Sequence, residues 1–233
     1  MICENIRVFF LFFLLYAMSG NVFADIRKNT GTIDPDYINL SAQEFLSFYA
    51  RGTSQEKENV LMYVLGVSDA TESKTWCGYN KINEIEFYSS VLTYLNQQSV
   101  NDMNMRASTL IEQAMVRLFP CPDVASQEKK SPRQLSVSHL TSGAFDLNGD
   151  DFFRFWQSDN RQDRLNAKIY LLGIEDATES KIWCDYKTIK TVTLDEIIYW
   201  HFRKKMSDKL NERAANIIIE ELSKHPCDKG NNK

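Results

Sequence analysis

The feature that most constrains this chain is a stretch that occurs twice. Residues 63–79 read YVLGVSDATESKTWCGY and residues 170–186 read YLLGIEDATESKIWCDY, at a constant offset of 107 positions. Most of the differences are apolar exchanges, such as Val67 for Ile174. A match of this length marks an internal duplication, so the two copies are expected to fold alike. Each copy is followed by a second cysteine in a Pro-Cys pair, Pro120-Cys121 and Pro226-Cys227.

The cysteines gain their meaning from the first 24 residues, which read as a targeting segment. Arg7 supplies a positive charge, Val8 to Ala17 is an almost unbroken apolar run, and small residues precede Asp25. That pattern predicts a signal peptide cleaved after Ala24 and a mature chain outside the cytoplasm. The run is short against the roughly 20 residues of a membrane span, and no second apolar stretch is long enough. Removing Cys3 with the signal leaves Cys77, Cys121, Cys184 and Cys227 in an oxidising compartment. A repeat that folds as a unit satisfies its own pair, which predicts Cys77–Cys121 and Cys184–Cys227.

Helical spacing dominates the rest. Ser41 and Glu44 form a capping box before Phe45, Phe48 and Tyr49, and Asn148 stands before Phe152, Phe155 and Trp156 at the same offset. A second helix runs from about Gln55 through the repeated stretch, with Val60, Tyr63, Val64, Val67 and Ala70 on one apolar face. Gly66 and Gly173 lie inside this pattern. Glycine in a helix interior costs up to about 1 kcal/mol against alanine, so its repetition predicts that another helix crosses closely there. Third helices are expected over 84–98 and from a Thr193/Glu196 capping box to about 206. Fourth helices are expected over 102–118 and 208–224, ending at the prolines.

Strand signals are nearly absent. The sequence therefore predicts an all-α protein of two tandem small helical-bundle domains, each of about four helices with one intradomain disulfide. The expected boundaries are 1–24 for the signal peptide, 25–121 and 144–233 for the domains, and 122–143 for a polar linker. Residues 25–40 read as an irregular lead-in.

Net charge is −4 with signs mixed throughout and no basic patch among aromatics, which argues against nucleic acid. Catalysis finds little support. All four mature cysteines have repeat-matched partners, whereas His139, His201 and His225 do not repeat. A thiol nucleophile needs a base beside it, and zinc needs a ligand spacing that is missing here. No cofactor, metal site or enzyme activity is expected. The polar tract Asp69, Thr71, Glu72, Ser73 and Lys74, with its counterpart Asp176, Thr178, Glu179, Ser180 and Lys181, admits two readings. One is a helix end whose acids pair with the nearby lysines on the surface. The other is a partner-binding surface displayed twice.

Tyr-x-x-Gly-[Val/Ile]-x-Asp-Ala, a cysteine after a short turn, and helices closing in Pro-Cys resemble the Rap/Tai immunity proteins of bacterial type VI secretion. The likeness covers about 41–121 and again 148–227. It implies a periplasmic, disulfide-bonded helical protein that binds and occludes a cognate secreted effector, typically a peptidoglycan amidase, and so protects the producing cell. The family commonly has one domain per chain and acts as a homodimer, so the fused copies imply an internal pseudo-dimer. The rival reading is a periplasmic holdase chaperone of the acid-stress type.

Trp76 and Trp183 each precede a bridging cysteine, where a large ring can fill the seam between helices. Trp183→Ala is therefore expected to cost about 3–5 kcal/mol in urea denaturation. An unchanged melting temperature would instead mark the ring as exposed.

Overall fold

In the computed structural model, most of the described helices start where a side chain occupies the open backbone donors, whereas those starting at Ala107, Thr191 and Ala214 have no such cap. The structure describes residues 32–79, 82–122, 138–184, 186, 189–205 and 207–227. The expected signal peptide and most of the expected linker lie outside the described residues. Ser41 and Glu44 close the expected capping box on α1 (Ala42–Arg51), and Thr53 with Glu56 closes another on α2 (Ser54–Thr71). Asn83 caps α3 (Glu84–Asn96), and α4 (Ala107–Leu118) ends the first repeat. In the second, Asn148 caps α5 (Gly149–Trp156) and Asn160 caps α6 (Arg161–Thr178). They are followed by α7 (Thr191–Lys204) and α8 (Ala214–Leu222). Single helical turns, Asp102–Asn104 and Ser207–Leu210, precede α4 and α8. The protein is all-α, with only isolated β-bridges among the described residues. Both disulfides join the expected partners, each with a Cα–Cα distance of 4.7 Å. Closing loops of this length contributes roughly 4 kcal/mol in the chain-entropy model.

Two helix boundaries differ from the sequence expectation. The capping box at Thr193 is not formed, because α7 starts two residues earlier, with Lys190 as its cap residue in the register of Asn83. The fourth helices are broken rather than continuous. At Met105 and Arg106 the backbone is extended. It pairs there with the entry to α1, through Ala42 N–H to Met105 O and Ala107 N–H to Leu40 O at 2.9 and 2.7 Å. Gly149 N–H to Glu212 O and Ala214 N–H to Leu147 O repeat the arrangement at 2.8 and 2.7 Å. Local helical spacing could not reveal this break, since the competing partner lies some 65 residues away in the chain.

The two repeats share one core. Residues Gly31–Lys233 form a single compact unit. Helices α2 and α6 are packed directly on each other and buried on all sides over their second halves, not along one face. They cross at the paired glycines. A Cβ on Gly66 would stand 2.0 Å from the Tyr170 carbonyl oxygen, and one on Gly173 would stand 2.3 Å from that of Tyr63. Phe45, Trp76, Phe87 and Ile111 fill the first repeat's side, and Phe152, Trp183, Phe202 and Ile218 the second's. Both tryptophans are fully buried, as expected, each donating its ring N–H to Thr71 or Thr178 at 3.0 and 3.1 Å.

The segments entering each repeat are irregular but packed, and each reaches across to the other repeat. Ile33, Leu40, Leu140 and Leu147 are buried at matching offsets, and Asn39 and Asp146 both take positive φ. Phe145, upstream of α5, stacks on Tyr88 and lies edge-on to Phe87, while Tyr88 Oη donates to Ser142 O at 2.7 Å. Thr191 Oγ1 correspondingly donates to Asp36 at 2.8 Å.

Replacing Gly66 with alanine places a methyl group against backbone that cannot rotate away. Overpacking of this kind typically costs 1–3 kcal/mol, more than the roughly 1 kcal/mol of helix propensity that alanine returns. The urea midpoint of Gly66→Ala, and separately of Gly173→Ala, should fall. A midpoint at or above that of the wild type would mean that the crossing is looser than the geometry states.

Candidate functional site

The repeated polar tract lies at the C-terminal ends of α2 and α6, just past the crossing. Asp69 and Asp176 are 1% and 2% exposed. Asp69 accepts from Tyr79 Oη at 2.6 Å and from Tyr170 Oη of the other repeat at 2.8 Å. The backbone N–H groups of Asp146 and Leu147 add bonds of 3.3 Å each. Asp176 accepts from Tyr186 Oη and Tyr63 Oη, both at 2.8 Å, and from Asn39 N–H at 3.3 Å. Each aspartate therefore holds one phenol from its own repeat, one from the other, and the other repeat's entering segment.

The glutamates complete a second, outer layer. Arg213 donates to Glu72 at 3.1 Å, and Arg106 donates to Glu179 at 2.9 Å. Both arginines also reach the carbonyl oxygen of the aspartate across the seam, Arg213 to Asp69 and Arg106 to Asp176. Arg213 further pairs with Asp146, and Arg106 bonds the Asn39 side chain. Both sit in the extended breaks before α8 and α4, which aim them across the seam.

Burial decides the titration of these groups. It pushes the Asp69 carboxyl up to about 6, against the pull of Arg213 and the two phenols. Asp176 is raised for the same reason, opposed by Tyr63, Tyr186 and Arg106. Tyr63, Tyr79, Tyr170 and Tyr186 are all pushed well up by burial and then by the adjacent aspartate. Burial lowers Arg213, but Asp69 and Asp146 outweigh it and hold the guanidinium above its ordinary value.

The surface ion pairs expected between these acids and Lys74 and Lys181 do not form. Lys74 Nζ donates to Ala70 O at 2.9 Å, and Lys181 pairs with Glu112 of the other repeat. Thr71 and Thr178 are buried under the tryptophans, and Glu72 lies in the seam. Ser73 and Ser180 take positive φ in a turn closed by their N–H groups to Trp76 O and Trp183 O at 2.8 and 2.7 Å. Ser73, Lys74, Ser180 and Lys181 are therefore the tract residues that face solvent. The expected surface missed Arg106 and Arg213, although the two match at the same offset in an Arg-Ala pair.

One place breaks the symmetry. Ser68 is matched by Glu175, a buried carboxyl whose Oε1 has no hydrogen-bond partner among the described residues. Burial, then Asp195, Asp176 and Asp36, push it well up, with only Lys168 opposing. Among the described residues no three acidic, histidine or cysteine side chains gather to hold a metal ion, and no helix is long and apolar enough to cross a membrane.

The family model for Rap1a immunity proteins matches residues 41–121 and again residues 148–227, together more than half of the chain. The two matches coincide with the two copies that meet at the seam. No individual curated protein matches the chain.

A carboxyl whose folded pKa is raised holds its proton more tightly in the native state. Its stabilising share is complete below the unfolded value, about 4.3 for glutamate, and is lost as pH rises towards the folded one. Glu175→Gln removes that loss, so it should raise the melting temperature at pH 7 and change it less at pH 4.5. A variant that melts lower than wild type at pH 7 would show that the ionised carboxylate is satisfied in solution.

Proposed function

The chain belongs to the Rap1a immunity protein family, and from that premise we propose that it neutralises a peptidoglycan amidase delivered by type VI secretion. It acts in the periplasm, after cleavage of residues 1–24, and protects the producing cell by occupying the effector's surface. The mechanism is occlusion without catalysis: the bound chain covers the amidase cleft and excludes the glycan-peptide substrate. The observation that carries this reading is the match of an immunity family model to both copies. The fused repeats are read as an internal pseudo-dimer. Reciprocal bonds from Tyr63 to Asp176 and from Tyr170 to Asp69 support that reading.

Of the repeated tract, Ser73, Lys74, Ser180 and Lys181 are proposed for contact. Asp69, Thr71, Glu72, Asp176, Thr178 and Glu179 support those turns from below. Lys74→Glu and Lys181→Glu should each weaken binding to the cognate amidase, unequally; Lys74→Glu should leave thermal stability unchanged, whereas Lys181→Glu also sets two acids together at Glu112 and should lower it slightly. A hot-spot contact costs 2 kcal/mol or more on truncation, a roughly 30-fold rise in Kd, which isothermal titration resolves. Wild-type affinity in both variants would place the contact elsewhere on the chain. If the wild-type chain fails to bind the amidase and cells deleted for the gene stay fully resistant to it, the immunity reading is wrong.

A further inference from the structure

The first repeat carries a groove of about 570 Å³ between α3 and the end of α4. Ser90, Thr93 and Gln97 line one side at helical spacing, and Arg117 and Leu118 line the other. The side chains of Ser90, Thr93 and Gln97 take no hydrogen-bond partner among the described residues. Arg117 forms no ion pair among them either; its guanidinium lies 5.9 Å from the centre of the Tyr94 ring. Ser89, Tyr94 and Gln98 complete the lining, with Ser89 Oγ donating to Glu86 O at 3.0 Å and Gln98 Nε2 to Tyr94 O at 2.7 Å. Among the described residues, the groove thus offers a row of neutral hydroxyl and amide groups with a guanidinium at its end that touches only the face of Tyr94.

The second repeat provides an internal comparison. At the same offset in α7, Thr93 is matched by Trp200, Tyr94 by His201, Gln97 by Lys204 and Gln98 by Lys205. That place is spanned by internal contacts instead: Lys205 pairs with Glu220 at 2.6 Å, and Lys224 pairs with Glu221, which also meets the His201 ring. The two repeats share the seam but differ in these helix faces, so the groove belongs to the first repeat's own chemistry.

We propose that this groove receives an extended segment of the secreted effector, with a carboxylate side chain of that segment held by Arg117. Hydroxyls and carboxamides both donate and accept, which suits the alternating amide groups of an extended backbone. A guanidinium with no carboxylate beside it among the described residues can take one through two parallel N–H bonds. The chain as a whole is acidic, so a positive charge in a neutral groove gives this face a sign of its own. The proposal rests on the immunity reading and names where the partner is held.

The test uses the full chain in isothermal titration with a purified type VI peptidoglycan amidase from the producing strain. Thr93→Trp brings in the second repeat's residue and fills the groove, and Arg117→Glu reverses its charge. Both positions are solvent-exposed, so melting temperatures should stay at the wild-type value. Each variant should raise Kd about tenfold or more, while Lys204→Glu on the matching face of the second repeat should leave it unchanged. Wild-type affinity in both groove variants overturns the groove assignment and leaves the immunity reading standing. No binding by the wild-type chain, with cells deleted for the gene still fully resistant, overturns both. Titration with a soluble peptidoglycan stem peptide separates the remaining case. Saturable binding of that peptide, lost in Arg117→Glu, would give the groove to cell-wall peptide and overturn the effector as occupant.

Discussion

The structure depends on the contact between Gly66 and Gly173. Two helices approach so closely only where neither carries a Cβ at the crossing, and here each glycine faces the other's backbone. The consequence runs along both helices. Once α2 and α6 touch directly, their second halves are surrounded, and any polar residue three positions past the glycine is buried with them. Asp69 and Asp176 stand at that position, and Tyr63 and Tyr170 stand three before. One helical turn in each direction brings each tyrosine to the other helix's aspartate. An unmet buried carboxylate would cost several kcal/mol. The phenols, backbone N–H groups and arginines supplied across the seam are what allow the crossing to persist.

This reciprocity gives a physical account of why the polar letters of the tract are the same in both copies. Each repeat must offer both halves of the contact: the carboxylate with its turn, and the tyrosine with its arginine. A change on one side leaves a buried group unpaired on the other. Positions beyond the reciprocal contact carry no such constraint, and they differ freely. Ser68 is matched by Glu175, Leu61 by Lys168 and Tyr88 by Asp195. The stacked aromatic floor under Phe145 in the first repeat has a polar group, Asp195 with Lys168, at the matching place in the second.

Much of this was legible before the structure, where the signal was local or doubled. The disulfide partners followed from the duplication, the close helix approach from two glycines in matching helix interiors, and the buried tryptophans from their place beside the bridges. The entering segments and the helix breaks at Arg106 and Arg213 were not legible, because the bonds that impose them join residues far apart in the chain. The tract itself was ambiguous for a related reason. Asp, Thr, Glu and Ser look the same in sequence whether they face water or a complementary set of phenols and guanidinium groups. The partners that distinguish the two cases, Tyr170 for Asp69 and Arg213 for Glu72, lie more than a hundred residues away.

The division of labour that follows bears on recognition. Residues that meet across the seam are bound to their partners inside the molecule, and a change in one leaves a buried group of the other repeat unmatched. On the proposed immunity reading, recognition of a particular effector draws on residues outside the seam: the turn at Lys74 and the outer faces of the helices. These outer faces are where the two repeats have different chemistry, hydroxyls and amides on one and lysine, histidine and glutamate on the other. A duplicated chain gains from this what a symmetric pair of identical subunits lacks. One seam holds both halves in fixed register, while each half presents its own surface. A substitution on one outer face changes that surface once rather than twice, so specificity can shift on one side while the other side and the seam stay as they are.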